Sequence, residues 1–372
     1  MALKLVNFKL TGLDASGTDT IWVDDEGNVA AGPIEGAEVV DCKDSFLSPG
    51  WCDLHVHIWH GGTDISVRPS EAGRPTGVTS MVDAGSAGEA AFHGLREYVI
   101  DKEQETIRAF LNIGSIGLVA CNRVSELSDL NCIDIDRTFD VIEANRDVIC
   151  GIKVRASGVI VGSWGVTPAK IAKRVAEIAN LPLMVHVGEP APLIDEVFDI
   201  LTPGDIVTHC FNGKKAGSIG DTPKLFAQAK RMADEGIRMD IGHGQASFSF
   251  ETARRAIDDG LRPFSISTDL HLRNIRGPVH DMATTMSKLL AVGLPFDEVI
   301  SAVTERPRPI LGLGGRDGLA VGTKADFTVF DLVDHAEIAT DSLGATLEIN
   351  KIFEPRMTVL GNSAQPAQRR LK

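Results

Sequence analysis

An eightfold alternation does most to limit what this chain can fold into. Short apolar segments recur, each closing in polar or glycine-rich residues, with stretches of helical periodicity between them. They read WCDLHVH (51–57), TSMVDAG (79–85), RAFLNIG (108–114), ICGIKVR (149–155), LPLMVHVG (181–188), DIVTHCF (205–211), RMDIGHG (238–244) and FSISTDL (264–270). Helical text such as GEAAFHGLREYVIDKEQE, TPAKIAKRVAEIAN and DTPKLFAQAKRMADEG lies between them. Eight β–α units in roughly 250 residues are what an α/β fold of the (β/α)8 TIM-like barrel type requires. A doubly wound open sheet alternates in the same way, but the count of eight and the polar residues at successive strand ends favour the barrel.

The flanks carry a different pattern. LKLVNFKLTG and TIWVDDEGNVAAG near the start, and GLAVGTKADFTVFDL and EPRMTVLGN near the end, read as short strands and turns. Both ends are therefore expected to build one small β module, from residues 1–49 and 312–372, beside a barrel spanning 50–311.

Composition narrows the function classes. The formal charge of -14 argues against nucleic acid or an anionic membrane as partner, because such surfaces need clustered Lys and Arg. The opening MALKLVNFKLTG has neither a basic region nor a long apolar stretch, and no apolar run is long enough to span a bilayer. A cytoplasmic protein acting on a small molecule is the expectation, with a symmetric homo-oligomer as the usual assembly. The six cysteines, Cys42, Cys52, Cys121, Cys132, Cys150 and Cys210, form no C-x-x-C and are expected to pack as small hydrophobes.

The chemistry falls at the strand ends. His55 and His57 are two apart on one strand, so both imidazoles project from the same face, a half-site for zinc or a similar ion. Lys153, His186, His209 and Asp269 each close a different strand. One buried histidine is commonly a hydrogen-bonded core residue, and one such lysine commonly snorkels to solvent. Six groups converging on one barrel mouth would carry a heavy desolvation cost unless paired or metal-bound. His60 is expected in the following loop. Asp83 is read as a cap or a partner supporting a ligand.

In order and spelling, these motifs resemble the amidohydrolase superfamily over nearly the whole chain, from LSPGWCDLHVH to the tail GLAVGTKADFTVFD. The resemblance implies a distorted (β/α)8 barrel holding two divalent ions, with zinc expected, and a β-sandwich built from both chain ends. It gives His55, His57 and Asp269 to the buried ion, His186 and His209 to the more exposed one, and a carboxylated Lys153 to both. It further implies hydrolysis by a metal-bridging hydroxide, with Asp269 as general base and acid. HVH with GGT, GIKVRAS, HVGEP, THCFNGK, GHGQASFSF, STDLH and TTMSKLL resemble a dihydroorotase-like branch whose implied activity is deacetylation of small acylated acids.

Dihydroorotases usually carry an arginine two residues after the second metal histidine. Trp59 stands there instead, and an aromatic at that point is expected to line an acyl or aryl pocket. Arg155 is expected to anchor a substrate carboxylate or to pair with a neighbouring acid, and His243 to contact substrate. SGVIVGSWG (157–165) is read as a loop covering the site. Two other enzyme readings stay open: a cyclic amidase of the dihydroorotase or hydantoinase kind, and a mononuclear zinc deaminase using Glu189 of HVGE with His209 orienting water. A non-catalytic scaffold is the third; it should have lost ligands, and all six positions are filled here.

Overall fold

Gly50 marks the point where the chain leaves one sheet and enters another. In this computed structural model, which describes residues 1–14, 18–121, 123–128 and 130–371, strands β1 (Leu3–Leu10), β2 (Thr20–Val23) and β3 (Glu38–Pro49) precede it and β4 (Trp51–Val56) follows it. A Cβ at Gly50 would lie 1.9 Å from Thr79 Oγ1 and 2.0 Å from Asp326 Oδ1, so only glycine fits the crossing. Arg308 fastens the same point, donating to the Gly50 carbonyl (3.2 Å) and to Asp326 Oδ2 (2.6 Å).

From there β4 is joined by β5 (Val78–Gly88), β6 (Thr106–Asn112), β7 (Ile149–Ala156), β8 (Leu183–Val187), β9 (Ile206–Thr208) and β10 (Arg238–Asp240). These seven form a parallel sheet in strict chain order. Helices fill the crossovers, for example Thr167–Ala179 and Pro223–Asp234. The latter starts on Thr222, whose side chain accepts from Leu225 N–H.

The eighth expected segment, 264–270, is not a regular strand. It makes parallel bridges at both sheet edges, Asp240 with Ser265 and Val56 with Leu270. The buried Asp53 carboxylate holds it in place, accepting the Thr268 N–H (3.0 Å) and its hydroxyl. Side-chain hydrogen bonds thus do part of what a ladder does elsewhere.

The chain ends do come together. β1–β3 continue into β11 (Asp326–Thr340), β12 (Thr346–Leu360) and β13 (Ser363–Pro366) in the order β13-β12-β11-β3-β1-β2. Where two facing sheets are expected, hydrogen bonds join these strands into one six-stranded sheet, and its β1–β3 pair is parallel. Leu5, Val23, Leu47, Phe327, Val329 and Val359 pack as its own apolar cluster. The larger cluster binds the parallel sheet to its helices. Among the described residues no helix is long and apolar enough to cross a membrane.

Candidate metal centre and active site

His55 and Lys153 sit within their strands, His57 and His209 one residue past theirs, and His186 within β8. Together with Asp269 all six line one cavity of about 410 Å³. Donor atoms of His55, His57 and Asp269 lie within 4.8 Å of one another. Asp269 Oδ1 is 3.1 Å from His57 Nε2 and 3.5 Å from His55 Nε2. Lys153 Nζ is 3.3 Å from His55 Nε2 and 3.4 Å from Met184 Sδ. The rings of His186 and His209 meet edge to face with centroids 4.3 Å apart.

Supporting contacts orient three imidazoles. His55 Nδ1 lies 2.8 Å from Thr208 Oγ1, whose hydroxyl donates to Asp240 Oδ2 at 2.7 Å. Asp240 also accepts from Ser265 and Ser267. His57 Nδ1 is 3.0 Å from Ser86 Oγ, and His209 Nδ1 donates to the Gly242 carbonyl at 2.6 Å. Each contact uses Nδ1 and leaves Nε2 for the cavity, as metal-binding histidines require. Asp83 belongs to this support, accepting from Ile58 N–H and Ser86 N–H.

Burial sets the charge states. Desolvation drives His55 and His186 well below the usual histidine value and His209 down to about 3, so all three are neutral imidazoles. Burial likewise brings the Lys153 amine down to about 7. For Asp269 burial acts upward, but His55 and the hydrogen bond from His57 outweigh it and hold the carboxyl well below its usual range. Three neutral imidazoles, a carboxylate and an amine able to lose its proton suit divalent ions. His209 (φ 68°) and Asp269 (φ 48°) both adopt left-handed backbone, a strain that clusters at functional sites.

The residues expected around substrate divide. Arg155 lines the cavity, but its Nε and Nη2 donate to Glu126 Oε1 and Oε2 at 2.6 and 2.7 Å, so it does pair with a neighbouring acid. Trp59 and His243 are not among the lining residues. The Trp59 indole packs over Gly62 and Gly94, whose missing side chains make room for it. His243 stacks on Phe248 (centroids 4.6 Å) and lies 3.0 Å from Lys288 Nζ. His60 is exposed, outside the cluster. Residues 157–165 supply wall rather than an open loop: Gly158–Val161 is a helical turn, and Val159 and Ile160 line the cavity.

Sequence reasoning missed several lining groups: Lys214, His271 and Arg273. His271 accepts the Arg273 N–H at Nδ1 (3.1 Å), and the signal for both residues was their place directly after Asp269. Glu189 accepts from Lys214 Nζ (2.6 Å) and from Ser157. Burial raises its pKa, but those hydrogen bonds and the Lys214 charge bring it down to about 2.

Residues 245–362 match the model of the Amidohydrolase family. A deacetylase of Brucella anthropi is 57% identical over 99% of this chain and 92% of its own length. The chain belongs to the amidohydrolase family. A deacetylase of Agrobacterium fabrum is likewise 57% identical, over 96% of this chain and 89% of the relative. Among solved structures, one described as a dihydroorotase superposes on this amidohydrolase with a TM-score of 0.96 at 54% identity, covering 99% of this chain and 98% of that one. One described as an adenine deaminase gives 0.88 at 31% identity, covering 98% and 99%.

Proposed function

We propose that this amidohydrolase is a metal-dependent, deacetylase-like hydrolase that cleaves an amide or ester bond of a small acylated carboxylic acid. The observation that carries the reading is the meeting, in one cavity, of neutral imidazoles, Asp269 and a buried Lys153. The two deacetylase relatives support it. In this reading residues 50–311 form a (β/α)8 barrel closed through 264–270, and residues 1–49 and 312–372 form the second module.

His55, His57 and Asp269 would hold one divalent ion, His186 and His209 a second, with zinc the expected metal and carboxylated Lys153 ligating both. Bound there, such ions polarise a scissile carbonyl and lower the pKa of water to near neutrality. Lys153 is suited to its part because burial favours the free amine, which adds carbon dioxide with loss of one proton to become an anionic oxygen ligand. Asp269, ionised and held by His55 and His57, takes the proton of the attacking water and returns it to the leaving group. The His–Thr208–Asp240 and His–Ser86 contacts keep the imidazoles from turning.

A cyclic amidase is the second reading, favoured by the 54% identical structure described as a dihydroorotase. Against it, position 59 carries an indole packed away from the cavity, where dihydroorotases usually have a guanidinium for the substrate carboxylate. A deaminase needs Glu189 as a proton donor, and Lys214 and Ser157 already hold it as a carboxylate. The test is product analysis of metal-loaded protein on acetylated amino and hydroxy acids, dihydroorotate, hydantoins and aminopurines. Acetate is the expected product; ring opening or ammonia as the main product would displace this reading.

A further inference from the structure

The cavity's cations differ in how far they are already neutralised. Arg155 is bound face to face by Glu126, and Lys214 by Glu189. Lys153 lies at the floor among the imidazoles. Arg273 lines the same cavity from its exposed side, and among the described residues no carboxylate lies within ion-pair distance of its guanidinium.

The backbone that carries Arg273 is fixed to the reaction centre. Asn274 Nδ2 donates to the Asp269 carbonyl at 2.7 Å, and Asn274 Oδ1 accepts the His271 N–H at 2.9 Å. Arg273's own N–H is tied to His271 Nδ1. The Cα of Arg273, four residues beyond Asp269 on a turn hydrogen-bonded to Asp269, is thus fixed relative to the cluster, and its side chain reaches the cavity from there. The other walls include Ile65, Leu118, Val159 and Ile160, which offer apolar contact.

The geometry points to Arg273 as the residue that selects an anionic substrate, gripping a carboxylate while the apolar wall takes an uncharged side group. The inference rests on the deacetylase-like reading and names its substrate class: acylated small acids with an apolar substituent. Planar, bidentate recognition of a carboxylate is what an arginine fork does best.

The test compares acetylated leucine and its O-acetyl hydroxy-acid counterpart with the methyl ester of each acid, using metal-loaded wild type, Arg273→Gln and Arg273→Lys. Losing one charge-assisted hydrogen-bonded contact should raise KM for the free acids roughly 10- to 100-fold, with kcat changed far less. The methyl esters should be handled alike by wild type and Arg273→Gln, and Arg273→Lys should fall between them on the acids. Equal KM for acid and ester in wild type, or an acid preference that survives in Arg273→Gln, would overturn the inference while leaving the hydrolase reading intact. Failure of wild type to release acetate from any of them would overturn the hydrolase reading and the inference with it.

Discussion

Thr208→Val isolates the support behind the metal centre. Valine has nearly the same shape, so buried packing is kept and the hydroxyl alone is lost. That hydroxyl has one proton, donated to Asp240 Oδ2 at 2.7 Å, so its oxygen faces His55 Nδ1 at 2.8 Å as an acceptor. His55 must then carry its proton on Nδ1 and present a bare Nε2 to Lys153 and Asp269. Without Thr208 Oγ1 the buried Nδ1–H is orphaned, at about 1–3 kcal/mol. At an unfolding entropy of ~2.1 cal/mol/K per residue, a chain of 372 residues should melt about 1–4 °C lower. Removing such a supporting contact typically weakens metal binding about 10- to 100-fold, or ~1.4–2.8 kcal/mol. Competition with a chelator of known affinity would measure this, with calorimetry alongside and Thr208→Ser as the variant that restores the hydroxyl. Wild-type affinity in Thr208→Val, or a Thr208→Ser protein as weak as the valine variant, would show that the hydroxyl does not orient His55.

Three further outcomes follow from other contacts. Glu126→Leu removes the carboxylate that pairs with the buried Arg155 guanidinium and should cost about 3–5 kcal/mol, most of it recovered in Glu126→Leu/Arg155→Met; chemical denaturation of the cycle checks this, and equal loss in single and double variants would contradict it. Gly244→Ala places a Cβ 2.4 Å from Asp269 Oδ2 at a φ of +57°, so kcat should fall roughly 100-fold with the circular dichroism unchanged; wild-type kcat would show that Asp269 has room to move. Glu189 has its pKa lowered to about 2, so its ion pair is complete above its unfolded value and is lost only as pH falls through about 2. The acidic limb of the rate profile above pH ~4.5 should therefore coincide in wild type and Glu189→Gln, and a displaced limb would mean that Glu189 carries a catalytic proton.

The parts of this molecule most legible in the sequence are those where one periodicity had no rival. WCDLHVH and ICGIKVR are buried apolar runs with their polar residues at one end, and they appear as β4 and β7 at nearly the expected bounds. FSISTDL reads the same way but is no regular strand, because Asp53 and Thr268 hold it by side-chain hydrogen bonds that no local pattern encodes. The long β11–β12 hairpin was only half visible. Beyond Phe330 most of its residues are half-buried or exposed, and the stretch Asp334–Glu337 carries no apolar alternation. The six strand-end groups could be picked out because each is a polar residue closing an apolar run. Arg155 could be narrowed only to anchor or partner, since Glu126 lies 29 residues away on a different segment. Trp59 was expected at a pocket wall, yet the small residues Gly62 and Gly94 let its indole sink into the core.

The decisive measurement is metal content per chain in wild type and Lys153→Ala, each purified after growth with added bicarbonate. About two ions are expected in the wild type, falling to one or none in the variant together with loss of hydrolysis. One ion in both proteins, with the variant still active, would contradict a centre bridged by Lys153.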